Sequence, residues 1–326
     1  MNPSNQLYVT SHLTDAEVAE IRELVAVVLQ ADGLHPLSEH VWLHVNHGGD
    51  NHDQHFLMRM GGVLVGYAHL DATDDVAGPS AELAVHPNHR RLGIGRELVE
   101  SMLSTVPDKK LRLWAHGEQL AAIELARSMN FINTRVLWQM RRSLRTPLSP
   151  PVFPPGVSLR TFSPDLDAQA WLEINSRAFA NHPEQGGWLV ADLESRMGEP
   201  WFSTDGFILA ISDDTGDIAG FHWTKVHGAT GHVAHANGAH AHEAHANEAH
   251  AHEALGEVYV VGVDPHWQGT GLGRALTVIG LQHLRDLGLS QAMLYVDATN
   301  GPALKLYSSL GFARWDTDVL YQRDTR

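Results

Sequence analysis

The chain contains no cysteine, which excludes disulfides, a thiolate metal site and a cysteine nucleophile, and fits a reducing compartment. It has no apolar run approaching the ~18 residues that read as a membrane span. Its first residues, Met1-Asn2-Pro3-Ser4-Asn5-Gln6, carry neither a basic stretch nor a following apolar segment of the kind that marks a secretory leader. Basic residues are few: 23 Lys and Arg stand against 38 Asp and Glu, for a formal charge of −15 with histidine neutral. No Lys/Arg run forms a stripe that could follow a nucleic-acid backbone, and a cationic ligand suits this charge better than an anionic polymer. The expectation is a cytoplasmic monomer with a small-molecule amine as partner, no nucleic acid and no membrane. Its 326 residues, 43% of them hydrophobic, suffice for sizeable cores and favour about two domains.

The most informative stretch is Glu257-Val-Tyr-Val-Val-Gly-Val-Asp-Pro-His-Trp-Gln-Gly-Thr-Gly-Leu-Gly-Arg274. Its β-branched run predicts a strand over 258–263, Asp264-Pro265 a turn, and the glycine-rich loop the opening of an amphipathic helix near Arg274. Gly269, Gly271 and Gly273 leave the amides of the first helical turn uncovered. Those amides lack intrahelical partners and lie at the positive end of the helix dipole, so the loop suits a phosphate or pyrophosphate. A P-loop would need Gly-Lys-Ser/Thr, whereas Gly273 is followed by Arg274-Ala275. A dinucleotide fold would need Gly-x-Gly-x-x-Gly, which the spacing here does not give.

A second copy lies upstream. Val85, Pro87, Arg90, Gly93 and Gly95 stand 178 residues before Val263, Pro265, Gln268, Gly271 and Gly273. Ala122, Leu125 and Phe131 stand 181 before Ala303, Leu306 and Phe312. Agreement with three residues of slippage is the mark of a duplicated domain. Five prolines between Ser143 and Gly156 read as a stiff linker. The domains are therefore expected at residues 1–143 and 157–326, joined by 144–156. A histidine- and alanine-rich tract over 228–254 interrupts the second domain. Such a tract can hold zinc or nickel loosely, but its composition favours an expanded low-complexity loop, and no specific metal ligand set is expected.

Thr14 with Glu17 reads as a capping box opening a helix to about Gln30, and Leu37 to Val45 as a second helix. Strands follow at 56–60, 63–70 and 81–85. In the second half, helices at 165–179 and 189–197 and strands at 206–211 and 218–225 repeat that order.

Gln268-x-x-Gly271-x-Gly273 after a strand ending in Val263-Asp264-Pro265 resembles the acetyl-CoA loop of the GNAT family of N-acetyltransferases. The downstream Asn300-Gly-Pro-Ala-Leu-Lys-Leu-Tyr307 segment and the duplication strengthen the likeness. The resemblance implies an α/β (α+β) fold of two tandem GNAT domains, each a mixed, mainly antiparallel sheet flanked by helices. It also implies direct transfer of an acetyl group from acetyl-CoA to an amine. Such transfer needs a proton acceptor for the ammonium and a proton donor for the departing thiolate. Glu257 and Tyr307 are the candidates; the loop offsets put Pro79 and Ala126 at the matching positions of the first half, with Gln119 for Asn300 and Asn130 for Gly311.

Two further runs, Gly220-Phe-His-Trp-Thr-Lys225 and Phe179-Ala-Asn-His-Pro-Glu-Gln-Gly-Gly-Trp188, resemble the branch of the family that acetylates the cysteinyl amine of cysteinyl-glucosaminyl-inositol. That likeness implies substrate contacts at Glu39, Glu184, Lys225, Glu257 and Tyr295. It implies cofactor contacts at Leu83, Ala84, Val85, Arg91, Leu92, Gly93, Ile94, Gly95 and Arg96 in the first half. In the second half they are Val261, Gly262, Val263, Gln268, Gly269, Thr270, Gly271, Leu272, Gly273 and Arg274, with Asn300, Gly301, Pro302, Ala303, Leu304 and Lys305. Another amine acceptor, or a non-catalytic acetyl-CoA sensor or metal store, remains open on these residues.

If Glu257 and Tyr307 handle the two protons, Glu257→Gln and Tyr307→Phe should each lower kcat by about 10²-fold or more. Substitution of Pro79 or Ala126 should leave turnover unchanged in the same steady-state assay.

Overall fold

In a computed structural model, the structure describes residues 6–49, 52–73, 77–106, 108, 110–180, 182–228 and 254–323. The chain divides into two compact units: unit 1 holds Met1–Trp138, Asp297–Thr299 and Asp316–Arg326, and unit 2 holds Gln139–Val296 and Asn300–Trp315. Unit 1 thus takes in most of the last strand of the chain. Most of the histidine-rich tract, residues 229–253, lies outside the described residues. Residues 144–156 carry no helix or strand.

Unit 1 begins with β1 (Gln6–Thr10), α1 (Asp15–Asp32) and α2 (Glu39–His47). Thr14 Oγ1 accepts from the Glu17 amide at 3.3 Å, and the Glu17 carboxylate accepts from the Thr14 amide at 2.9 Å. The expected capping box therefore forms. Gly33, at φ 73°, closes α1 by donating to the Leu29 carbonyl, a left-handed cap that glycine adopts without strain. The second helix starts two residues later than expected because Ser38 caps it, accepting from the Val41 amide. Then come β2 (Gln54–Met60), β3 (Val63–Asp71), β4 (Ser80–Val85), α3 (Ile94–Thr105), β5 (Arg112–Ala115), α4 (Leu120–Ser128) and the start of β6 (Phe131–Ser143). Strands β1 to β4 pair antiparallel in sequence order; β5 joins β4 parallel and takes the end of β12 (Ala313–Arg323) antiparallel on its other edge. Apolar side chains fill both faces. Ile21, Leu24, Val25, Val28 and Val41 pack with Leu57 and Tyr67 in one cluster, and Leu98, Val99 and Met102 with Phe56, Met58 and Ala68 in the other.

Unit 2 repeats this plan with β7 (Val157–Thr161), α5 (Pro164–Ala178), α6 (Pro183–Gly186), α7 (Val190–Met197), β8 (Phe207–Ser212), β9 (Ile218–His227), β10 (Leu255–Val263), α8 (Leu272–Asp286), β11 (Gln291–Asp297) and α9 (Gly301–Ser309). Strands β7 to β10 are antiparallel neighbours, and β11 joins β10 parallel. Each unit is therefore a mixed, mainly antiparallel sheet with helices on it, as expected. An aromatic cluster holds α5 to the sheet: the Trp223 and Phe207 rings stack at 4.5 Å, Phe207 and Phe162 at 4.2 Å, and Trp171 meets Phe207 edge-on at 5.4 Å. Such pairs add about 0.5–1.5 kcal/mol each beyond area burial. Among the described residues, no helix is long and apolar enough to cross a membrane.

On the other face, α8 lies against β9 through Gly280. A Cβ there would stand 2.0 Å from the fully buried His222 ring. Burial pushes the His222 imidazole down to about 4, so it is neutral, and its Nδ1 bonds the Leu276 carbonyl at 2.6 Å. Gly280→Ala should therefore destabilise the protein although alanine favours helices by about 1 kcal/mol. Overpacking of about 1–3 kcal/mol outweighs that gain, and a lowered midpoint in thermal or urea unfolding is the check.

Candidate active site

The geometry of the site starts from how far parallel neighbours stay together. Strand β10 pairs with β11 over two positions, Gly256 with Ala292 and Glu257 with Met293. Strand β4 pairs with β5 likewise, at Ser80 with Arg112 and Ala81 with Leu113. Beyond these pairs, among the described residues, the outward amides and carbonyls of β10 and β4 have no strand partner. Each sheet so opens into a cleft whose wall can hydrogen-bond an extended ligand. The expected acetyl-donor contacts Val261, Gly262 and Val263, and Leu83, Ala84 and Val85, lie on those two walls.

At the end of each wall the chain makes the same turn. Pro265–Trp267 and Pro87–His89 are 3₁₀ turns. Gly269 and Gly271 have φ of 78° and 92°, Gly93 has 89°, and nothing stands within 4 Å of where their Cβ atoms would be. Open space over the free amides of a helix N-terminus fits a pyrophosphate. Ile94 and Leu272, the first helical residues, are buried at 1% and 0% exposure. With Ala84, also buried, they can offer a ligand only main-chain groups.

The turns are braced alike. Arg90 Nε donates to the Val85 carbonyl at 3.2 Å, and Gln268 Nε2 approaches the Val263 carbonyl at 3.4 Å. Arg96 donates to Ser128 Oγ at 2.7 Å, and Arg274 to Ser309 Oγ at 2.6 Å. The duplication read from the sequence thus extends to individual contacts. Arg91 pairs with Glu124 on the surface, Leu92 is exposed, and Gly95 packs under Leu125. Thr270 donates to the Trp267 carbonyl, and Gly273 contacts Val263. Asn300 caps α9 by accepting from the Ala303 amide at 3.2 Å; Gly301, Pro302, Leu304 and Lys305 continue that first turn.

Glu257 lies inside β10 at 7% exposure, opposite Lys225 of β9. Lys225 is buried too, with its ammonium 4.6 Å from the Trp201 ring centroid and 5.3 Å from that of Tyr259. His227 Nε2, two residues further along β9, lies 2.6 Å from the Glu257 carboxylate. Burial alone would push that carboxyl up. The His227 hydrogen bond, the charge on His227 and the Lys225 ammonium outweigh it and hold the carboxyl below its ordinary value, so Glu257 is ionised at neutral pH. His227 precedes the histidine-rich tract, and its diagonal position from Glu257 follows from the β9–β10 register.

A bulge sits beside this pair: Val258 faces Thr224 while Val260 faces Trp223, leaving Tyr259 as the extra residue. The β3–β4 pairing has no such shift. The bulge corrects one equivalence drawn from the loop offset. By strand register, Val85 faces Gly66 and Val263 faces Gly220, so the partner of Glu257's counterpart is Asp71, and the counterpart is Ser80 rather than Pro79. Neither carries a titratable carboxylate.

Tyr307, on α9, is half-buried with its ring edge-on to Phe312 at 5.9 Å, and burial pushes its phenol up to about 12. It is protonated at neutral pH. Tyr295 lies two residues past Met293, hence on the same face of the sheet as Glu257, and its hydroxyl accepts from Gln139 Nε2 at 2.9 Å. Glu184 is in α6. Glu39 opens α2 in unit 1.

In unit 1, the residues just beyond the two-residue pairing are ionised as well. His116 is held between Asp318 at 3.1 Å and Glu82 at 3.3 Å, and the Glu82 carboxylate also accepts from the Ser38 amide. Burial would lower the imidazole, but the Glu82 charge and the Asp318 hydrogen bond raise it to about 10. An imidazolium so fixed neither takes nor releases a proton at neutral pH. It braces β4, the end of β5 and β12.

Two segments, residues 20–131 and 168–312, match the acetyltransferase (GNAT) family profile. A mycothiol acetyltransferase of Acidothermus cellulolyticus is 51% identical over 95% of this chain and 92% of that one. A mycothiol acetyltransferase of Salinispora arenicola is 47% identical over 96% and 95%. Among solved structures, a tandem GNAT protein from the clavulanic acid biosynthesis pathway aligns at TM-score 0.71 and 19% identity over 99% of both chains. A GCN5-related N-acetyltransferase from Sphaerobacter thermophilus aligns at 0.65 and 23% over 98% of this chain and 96% of that one. Both structural likenesses concern the fold alone.

Because its folded value is depressed, Glu257 stays charged until pH falls below the ordinary carboxylate range, and any acid limb in kcat/KM that it sets lies there. His227→Ala removes the partner that offsets burial, so that limb should move to higher pH. A pH–rate profile identical to that of the unmodified protein would show that the pair does not tune the carboxylate.

Proposed function

Since the chain belongs to the acetyltransferase (GNAT) family and carries its domain twice, we propose that it acetylates the cysteinyl amine of cysteinyl-glucosaminyl-inositol to give mycothiol, with acetyl-CoA as donor. The observation that carries the reading is a buried, ionised Glu257, paired with Lys225 at the point where β10 parts from β11. Its nearly full-length relatives bear the matching name.

Acetyl-CoA supplies the thioester when bound. The open amides at Gly269 to Gly273 suit its pyrophosphate, and the unpaired edge of β10 suits its pantetheine amides. Glu257 takes the proton of the acceptor's ammonium, directly or through one water. The freed amine nitrogen bonds the acetyl carbon as the C–S bond breaks, and the second proton it sheds on becoming an amide passes to solvent. Tyr307, a phenol that burial pushes further up and so keeps protonated well above neutral pH, gives its proton to the leaving sulfur and regains one from solvent. Lys225, steadied over Trp201 and Tyr259, donates to acceptor oxygens, while Glu184 and Tyr295 meet its hydroxyls.

The loop of unit 1 holds acetyl-CoA by the same amides without transfer, because Ser80 stands where Glu257 stands and the His116 ion pairs are locked. This divides the labour between two copies of one fold.

Mass spectrometry of reactions with acetyl-CoA and a panel of amines tests the assignment. Cysteinyl-glucosaminyl-inositol should gain one acetyl group, with kcat/KM at least about 10²-fold above an aminoglycoside, a polyamine or a peptide N-terminus. Preference for one of those instead would overturn the acceptor while leaving acetyl transfer intact.

A further inference from the structure

Away from the cleft, unit 1 gathers three potential metal ligands on the face of its sheet covered by α1 and α2. His44 comes from the last turn of α2, Asp53 from the residue before β2, and His69 from β3. One donor atom from each lies within 4.8 Å of the others. His44 Nδ1 is 2.6 Å from Asp53 Oδ2, and His69 Nε2 is 3.5 Å from the same oxygen. Bonds of 2.0–2.1 Å in a tetrahedral shell put neighbouring donors about 3.3 Å apart, so small side-chain adjustments would let all three meet one ion.

The site is also built in ways a hydrogen-bonded cluster does not require. Asp53 is 1% exposed and His69 0%. Asp53 Oδ1 and both ring nitrogens of His69 make no hydrogen bond. Leaving a buried polar atom unpaired is destabilising, and Asp53 and His69 bring such atoms to one place. Gly49 leaves room for the carboxylate, since a Cβ there would fall 1.4 Å from Asp53 Oδ2 and 2.9 Å from His44 Nδ1.

From these observations we infer that His44, Asp53 and His69 form a binding site for one divalent transition-metal ion of the zinc class. Two imidazoles and one carboxylate are the donor set such borderline ions take, with one position left for water, and calcium or magnesium would want more oxygen. The ion would tie α2, whose first residue is Glu39, to the C-terminal end of β3. Its place in the fold makes it a structural clamp, independent of acetyl transfer in unit 2.

The histidine-rich tract would mask the site in a simple titration. The test therefore uses the full chain, purified without a polyhistidine tag, with His232, His235, His240, His242, His245, His250 and His252 replaced by asparagine. After loading with cobalt(II) or zinc(II) and desalting, this protein should retain one equivalent per chain. The cobalt form should show the strong visible absorption of four-coordinate cobalt, and zinc should raise its melting midpoint. Asp53→Asn and His69→Gln, each added singly, should lower the retained metal at least tenfold and abolish the shift. A tract-substituted protein with the cluster intact that holds no metal, or holds only six-coordinate cobalt, would overturn the site whether or not the Asp53 and His69 variants fold. Retention unchanged by both substitutions would overturn it too.

Discussion

The architecture depends on how briefly two parallel strands stay paired. If β11 followed β10 to its end, the amides of β10 would all be spent within the sheet and nothing could lie between the strands. With two paired positions, strand order is kept while most of one edge is left unsatisfied. Buried main-chain groups do not persist unpaired, so the opened edge amounts to a demand for an extended, amide-bearing ligand. The turn after β10 then delivers helical amides to the same end of the cleft. Strand edge and helix start together define a ligand with a peptide-like arm and an anionic group at its tail.

What distinguishes the two copies is the charge placed beside this opening. In unit 2, β9 contributes Lys225 and His227 to one face, and Glu257 is ionised against them. In unit 1 the comparable ground is occupied by Glu82, His116 and Asp318, which satisfy one another. A carboxylate at the opening of the cleft can exchange protons with an incoming amine, whereas an imidazolium between two buried carboxylates stays as it is. The bulge at Tyr259 adds to the asymmetry by re-phasing β10 past Glu257, as bulges near functional sites often do.

Much of this was legible in the chain itself. The 178-residue repeat, the caps of α1 and the glycine turns are local, and local signals survive in a linear string. The bulge was hidden because 258–263 reads as one unbroken apolar run, and nothing in such a run marks which residue lacks a partner. The partnership of His227 with Glu257 was hidden by the compositional bias of the tract beginning just beyond it. The cluster of His44, Asp53 and His69 draws on a helix, a loop and a strand, whose approach only packing decides. The assignment of the final strand was unreadable for a similar reason: nothing local in residues 313–323 marks which strand they will pair with.

That last strand ties folding to the order of synthesis. Residues 319–322 complete the edge of β5, and Asp318 completes the burial of His116, yet they are made more than two hundred residues after β5. While the ribosome is still extending the chain, unit 1 must wait with an open edge and with His116 short of one of its two carboxylate partners. Cutting the gene at the proline-rich segment would separate that sheet from its own closing strand, so the repeats, though related by duplication, are no longer exchangeable parts.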